Sequence, residues 1–229
     1  MNKEQGIKIF GEDWYEVLEK EVNKDYFTKI GVFLKQEREE RGKKIYPDAS
    51  DYFKAFRKTP FGQVKVVIIG QDCYHDGSAD GLAFSSKKEF YTPPSLKIIF
   101  DEVERSLNGG LYLERYENLE RWAEQGIFLL NRYLSVEEKL PKSHSRIGWE
   151  EFTSTVIKEI SINRNQVVFM LWGADAKQVK YLIDGTKHLI LEAGHPAAGF
   201  YGTDTFSNCK HFSLCNEYLK LVKKQEIKW

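Results

Sequence analysis

Cysteine is scarce in this chain: Cys73, Cys209 and Cys215 are the only three among 229 residues. Their number is odd and no CxxC pair occurs, which argues against a disulfide framework, a zinc site and an iron–sulfur cluster. No apolar run approaches the roughly 20 residues of a membrane-spanning helix. The opening Met1-Asn2-Lys3-Glu4-Gln5 has no secretory character, so a soluble, cytoplasmic protein is expected. Net charge is also missing, since 34 Lys and Arg balance 34 Asp and Glu. That weighs against a general nucleic-acid binder, which usually carries net positive charge, but leaves room for a local basic groove. Arg132, Lys142, Arg146, Lys177 and Lys210 are candidates for one. No G-x-G-x-x-G or G-x-x-x-x-G-K-[ST] follows a strand-like run, and no G-x-S-x-G elbow occurs, which disfavours a nucleotide cofactor and a serine nucleophile. Linkers, repeats and low-complexity tracts are absent as well.

What the chain does have is a set of short apolar runs that end in polar residues. Val64-Lys65-Val66-Val67-Ile68-Ile69 leads into Gly70-Gln71-Asp72-Cys73-Tyr74-His75. Gly126 to Leu130 stops at Asn131, Gln166 to Trp172 stops at Gly173-Ala174-Asp175, and Lys187 to Ala193 stops at Gly194-His195-Pro196. Such runs fit strands buried on both faces. Between them, Leu96 to Leu107, Leu119 to Glu124, Trp149 to Ile160 and Ala176 to Leu182 have helical spacing. Alternation of this kind predicts an α/β fold, a three-layer α/β/α sandwich around a central four-stranded parallel sheet. The first 60 residues read as mainly helical, with Trp14, Val17, Leu18, Val22, Phe27, Ile30, Phe33 and Leu34 in one apolar stripe. They belong to the same single domain, 1–229. The charged run Lys35 to Lys44 reads as a solvated helix face and loop.

Ligands of open α/β sheets bind beyond the carboxyl ends of the strands. There Asp72 can orient or deprotonate a water, or stabilise a developing cation. His195 can donate a hydrogen bond to charge developing on a leaving group. The Asn131 amide, donor and acceptor side by side, suits the edge of a planar heterocycle. Phe84, within Gly81-Leu82-Ala83-Phe84-Ser85, is placed to stack on it, and Tyr74 to wall the slot. Singly these signals are weak, because Asn is a common turn residue and Asp a common helix cap. Four strand ends carrying them together form the stronger signal.

In order along the chain, these residues resemble the family 1 uracil-DNA glycosylases. Gln71 to His75 resembles the family's water-activating loop, and Gly81 to Ser85 its uracil-stacking segment. Tyr91-Thr92-Pro93-Pro94-Ser95-Leu96 is similar to the proline-rich loop that grips the DNA backbone. Leu129-Leu130-Asn131 resembles the uracil-recognition strand, and Ser143-His144 with Gly148-Trp149-Glu150 follows in the family's order. Leu171-Trp172-Gly173 resembles the glycine–serine loop. Gly194-His195-Pro196 with Cys209-Lys210-His211-Phe212 is similar to the intercalation loop and the helix after it. The resemblance implies hydrolysis of the glycosidic bond of deoxyuridine, flipped out of single- or double-stranded DNA, with no metal or cofactor. It makes Asp72 and His195 catalytic, and Gln71, Tyr74, His75, Phe84 and Asn131 uracil-binding. Pro93, Pro94, Ser95, Gly173, Ala174, Pro196 and Lys210 would contact DNA. A monomer is expected.

Three departures stand out. Cys73 replaces the family's Pro, which fixes φ and lacks an N–H, so a looser loop or an added backbone donor is expected, with a modest effect on rate. Ala174 and Ala197 replace serines that clamp phosphates, which implies weaker or redistributed gripping of the backbone. In His195-Pro196-Ala197-Ala198-Gly199-Phe200-Tyr201, Gly199 aligns with the family's Leu wedge and cannot fill a vacated base position. Phe200, with Tyr201 as second choice, becomes the candidate wedge, and sensitivity to DNA-mimicking inhibitor proteins should fall. The rival expectation is a catalytically weak or inactive uracil-DNA-binding module or scaffold on the same fold. A glycosylase for other damaged bases would be expected to alter Asn131 or Tyr74.

Overall fold

Local patterning accounts for most of the elements. The computed structural model describes residues 1–89, 91–108, 114–198 and 205–229. Helices α1 (Lys3–Phe10), α2 (Glu12–Val22) and α3 (Asp25–Glu39) come first, followed by a short strand β1 (Ile45–Tyr46) and helix α4 (Lys54–Lys58). Strand β2 (Val66–Asp72), helices α5 (Pro94–Asn108) and α6 (Glu120–Ala123), and strands β3 (Ile127–Tyr133) and β4 (Val136–Glu137) occupy the middle. Helix α7 (Trp149–Asn163), strand β5 (Val168–Trp172), helix α8 (Ala174–Lys177), strand β6 (Leu189–Ala193) and helix α9 (His211–Leu221) complete the chain. The four long strands form one parallel sheet in the order β3-β2-β5-β6, while β1 and β4 pair as a small antiparallel ribbon. Helices flank the sheet, giving the α/β/α sandwich expected from the sequence. Among the described residues no helix is long and apolar enough to cross a membrane.

β2, β3 and β5 are buried almost throughout, as continuous apolar runs require. β6 departs from that expectation. It is an edge strand, with Leu189, Ile190 and Leu191 half-buried and Glu192 exposed and ion-paired to Lys180. Two strands also outlast their apolar runs, β2 continuing through Gly70-Gln71-Asp72 and β3 through Tyr133. The helix expected over Ala176 to Leu182 is instead two separate turns, α8 and a 3₁₀ turn at Lys180–Leu182. Only Ala176 and Val179 are buried in that span, so little apolar surface holds a continuous helix.

The N-terminal helices pack onto the sheet through aromatic contacts. Trp14 is fully buried, stacks on Phe128 of β3 at 4.8 Å and donates its indole N–H to Thr59 O at 2.8 Å. The charged run after α3 is less of a solvated face than its composition suggests. Glu37 is buried between Arg41 and Lys43, and Arg38 donates to the carbonyls of Ile45 and Pro47 at 2.9 Å. These contacts tie the end of α3 to β1.

Three of the five histidines receive an N–H donor at Nδ1. His188 accepts from Val167 N (3.2 Å), His195 from Ala197 N (3.1 Å) and His211 from Trp172 Nε1 (3.0 Å). The Ser135 hydroxyl accepts from Trp149 Nε1 at 2.7 Å and shares a hydrogen bond with His144 Nδ1 at 2.8 Å. An imidazolium has no acceptor, so the contacts of His188, His195 and His211 require a neutral ring. Burial pushes His144 and His211 down to about 4. Between that value and the ordinary imidazole pKa, the unfolded chain binds protons that the folded chain refuses. Stability must therefore fall as pH drops through this window, by up to about 3 kcal/mol per group. Urea midpoints at about pH 7 and about pH 4.5 should differ in that direction; equal midpoints would contradict the neutral-ring assignment.

Candidate active site

The site begins where β2 and β3 run side by side. Their register pairs Gly70 with Asn131 and Asp72 with Tyr133. A Cβ on Gly70 would lie 2.3 Å from Asn131 Oδ1 and 3.1 Å from Ala83 Cβ. Glycine is what lets the Asn131 amide lie across the end of β2. Asn131 is buried, and its Nδ2 donates to Cys73 Sγ at 3.4 Å. Asp72 accepts from Gln71 Nε2 at 3.2 Å and from the backbone N–H of Lys142 at 2.7 Å. Lys142 lies in a loop between β4 and α7 and has φ 60°, a left-handed conformation in which it aims its amide at the carboxylate.

The Phe84 segment is held in an uncommon conformation. Phe84 has φ 65°, and a bulky side chain in that region costs of order 1–3 kcal/mol. Buried Asp80 offsets the strain by accepting from Leu82 N (3.2 Å) and Ser85 Oγ (2.7 Å), while Ser85 Oγ accepts from Leu119 N at 2.9 Å. Tyr74 OH adds a bond to Phe84 O at 3.1 Å. The Phe84 ring sits 5.5 Å from Trp172 and 6.2 Å from His195.

β5 and β6 contribute the opposite wall. Gly173 has φ 86°, and a Cβ there would come within 2.9 Å of His195 Cβ. Burial lowers the His195 pKa, against smaller raising effects from Asp175 and Asp72. Because Nδ1 accepts from Ala197 N, the neutral ring carries its proton on Nε2.

These elements enclose a cavity of about 220 Å³ lined by Gln71, Asp72, Cys73, Tyr74, His75, Phe84, Ser95, Asn131 and His195, among others. That is smaller than drug-sized pockets, which start at about 300 Å³, and suits one small ring. Every residue expected to bind the base or act on it lines this cavity. Of the expected DNA contacts among the described residues, only Ser95 does so. Pro93 and Pro196 are buried, Pro94 opens α5, Gly173 and Ala174 start α8, and Lys210 is exposed just before α9. Phe200 and Tyr201 lie outside the described residues. Arg132 does not belong to a basic groove: it is buried and donates to Thr153 Oγ1, Ser154 Oγ and Glu150 Oε1. Lys142 Nζ is ion-paired with Asp175 at 3.1 Å. Sequence patterns did not reveal the Lys142 amide or the sulfur contact of Cys73, because both depend on segments far apart in the chain; Asp80, which bonds within its own turn, was not singled out. His75 Nδ1 is buried with no hydrogen-bond partner among the described residues.

A parallel-sheet α/β fold with a ring-sized polar slot at the strand ends defines the class of protein. Residues 56–220 match the model of the uracil DNA glycosylase superfamily, and the chain belongs to that superfamily. The uracil-DNA glycosylase of Borreliella burgdorferi is 48% identical over 219 residues, covering 94% of this chain and 96% of the relative. The crystal structure of mimivirus uracil-DNA glycosylase superposes with a TM-score of 0.89 at 27% identity, covering 100% of this chain and 89% of that one. A variant of that mimivirus protein, solved in complex with UGI, superposes at 0.88, with 27% identity and coverage of 100% and 91%.

Gly70→Ala should force Asn131 aside or part β2 from β3, at a cost of about 1–3 kcal/mol. An unchanged denaturation midpoint would show that the amide is not held against Gly70.

Proposed function

We propose that this chain is a monofunctional uracil-DNA glycosylase that hydrolyses the N-glycosidic bond of deoxyuridine flipped out of DNA, the first step of base-excision repair. The observation that carries this reading is the single cavity in which Asp72, Asn131, Phe84 and His195 meet. Flipping costs roughly a few kcal/mol of unstacking, and the narrow slot then sorts the bases. Uracil stacks on Phe84 while the Asn131 amide pairs with its O4 and N3–H. Tyr74, anchored on Phe84 O, stands where a thymine methyl would need to go.

Bond breaking leaves positive charge on the sugar and negative charge on uracil. Asp72, held by the Lys142 amide, stabilises the first and orients the water whose oxygen bonds to the anomeric carbon. The electron pair of the broken bond leaves with uracil. His195 meets it at O2 as a neutral Nε2–H donor, since Nδ1 is already occupied as an acceptor. The Gln71 backbone assists at the same oxygen, and unpartnered His75 supports Asp72 and a nearby phosphate. The reaction as written calls on no metal or cofactor. Pro93-Pro94-Ser95, Gly173-Ala174, Pro196 and Lys210 grip the backbone of single- or double-stranded DNA, with Phe200 or Tyr201 as the wedge. Protein inhibitors that mimic DNA would occupy the same face, with reduced effect because the Leu wedge is replaced. The chain acts as a monomer, its N-terminal helices part of the one catalytic domain.

Uracil release from a single-stranded oligonucleotide with one deoxyuridine should show multiple turnovers that collapse in Asp72→Asn. No release combined with tight binding of the oligonucleotide would favour a uracil-DNA-binding module instead. The pH profile adds a second test. Protonating His195 removes the Nδ1 acceptor and the neutral donor state, so activity should be lost as pH falls through its lowered pKa. That acid limb should lie below the ordinary imidazole range, about 6.5. A limb centred there or higher would overturn the neutral-donor role.

A further inference from the structure

The chain folds back on itself directly after β2. Cys73, just past Asp72, reaches both the Asn131 side chain and the Tyr133 backbone carbonyl of β3. Its sulfur accepts from Asn131 Nδ2 at 3.4 Å and donates to the Tyr133 carbonyl at 3.6 Å. Both Cys73 and Asn131 are 5% exposed, so little water reaches the contact between them. The expected effect of replacing Pro was a looser loop or an extra backbone donor; the observed difference is a hydrogen-bonded side chain.

A thiol has one proton to give. With that proton directed at Tyr133 O, the sulfur offers Asn131 only lone pairs, and only the NH₂ end of the amide can face it. A flipped amide would set Oδ1 against those lone pairs with no proton between them. At the other end of the amide, Oδ1 lies over Gly70, where no Cβ intrudes. The cavity therefore meets Oδ1 and the second Nδ2–H in a set order. Uracil presents a carbonyl acceptor beside an N–H donor, which matches. Cytosine presents an amino donor beside a ring-nitrogen acceptor, which fits only the flipped amide.

Resting on the glycosylase reading, we infer that the Cys73 thiol is a specificity-determining positioning residue that locks the Asn131 amide in the orientation that accepts uracil and refuses cytosine. Burial supports this by pushing the thiol up to about 12, so the sulfur keeps its proton through the neutral range. Pro, the family's residue at this position, has neither donor nor acceptor in its side chain and could not serve in this way.

The experiment compares wild type, Cys73→Val and Cys73→Ser by inhibition with free uracil and with free cytosine, alongside thermal midpoints. Val fills space without polarity, whereas Ser restores one donor and one acceptor. Cys73→Val should weaken uracil inhibition about 5- to 10-fold, the worth of one buried hydrogen bond, and narrow the uracil-over-cytosine preference. Cys73→Ser should return both to within about twofold of wild type. Wild-type affinity and preference in Cys73→Val would overturn the inference. So would a Ser variant as impaired as Val at an equal thermal midpoint, since that pattern marks packing alone. A wild-type protein that neither releases uracil nor is inhibited by it would instead overturn the glycosylase reading, and the inference with it.

Discussion

The parallel register between β2 and β3 is the constraint on which the site depends. It sets Gly70 against Asn131 and Asp72 against Tyr133. A one-residue slip would turn each side chain to the opposite face and place a side chain where Asn131 now passes over bare backbone. The same register brings Cys73 within reach of Asn131 and the Tyr133 carbonyl. Apolar burial sets this alignment: Val66 to Ile69 and Ile127 to Leu130 are all fully or almost fully buried. Polar placement at the strand ends is thus a consequence of core packing several residues away.

Each polar group around the cavity is then fixed from a different part of the chain. Asp72 is held by a loop amide 70 residues later, His195 by the turn after it, and Tyr74 by the carbonyl of Phe84. Groups oriented before a ligand arrives need little reorganisation when charge develops, which is where such sites gain most of their effect. Phe84 carries the opposite sign of energy. Its left-handed backbone is unfavourable by itself and persists because Asp80, Ser85 and Tyr74 over-determine the turn. The molecule accepts local strain at Phe84 and offsets it with buried hydrogen bonds close by.

How much of this was legible in the sequence follows from range. Strands and their polar ends were readable because burial writes itself into runs of Val, Ile, Leu and Phe. The convergence of Gln71, Asp72, Asn131 and His195 followed from topology alone, since parallel strands share one carboxyl edge. The half-exposed β6 was not legible, because its apolar residues look the same in a central strand and at an edge. The broken helix at Ala176 to Leu182 kept an apolar spacing compatible with either a helix or two turns. Lys142 was noticed for its charge, yet its backbone amide is what reaches Asp72, and no side-chain pattern encodes that. Cys73 was noticed as a departure, but its partners depend on how closely the chain turns back over β3.

Charge shows the same separation between composition and placement. Among the cations first considered for a groove, Arg132 serves α7 from inside the protein and Lys142 neutralises Asp175. On the glycosylase reading, the grip on a polyanion must then draw more on oriented backbone N–H groups and fewer cations than a count of basic residues suggests. Glu102 of α5 shows how such positions are held. Its carboxylate is fully buried and accepts from Asn208 N at 2.6 Å, Lys210 N at 3.0 Å and Arg105 at 2.5 Å. Asn208 and Lys210 have φ 67° and 58°, conformations unfavourable for residues with side chains. Charge-assisted bonds to their amides compensate for that cost. A buried negative charge thus fixes the backbone of an exposed Lys. In a chain with no net charge, that is how position can do what excess charge does elsewhere.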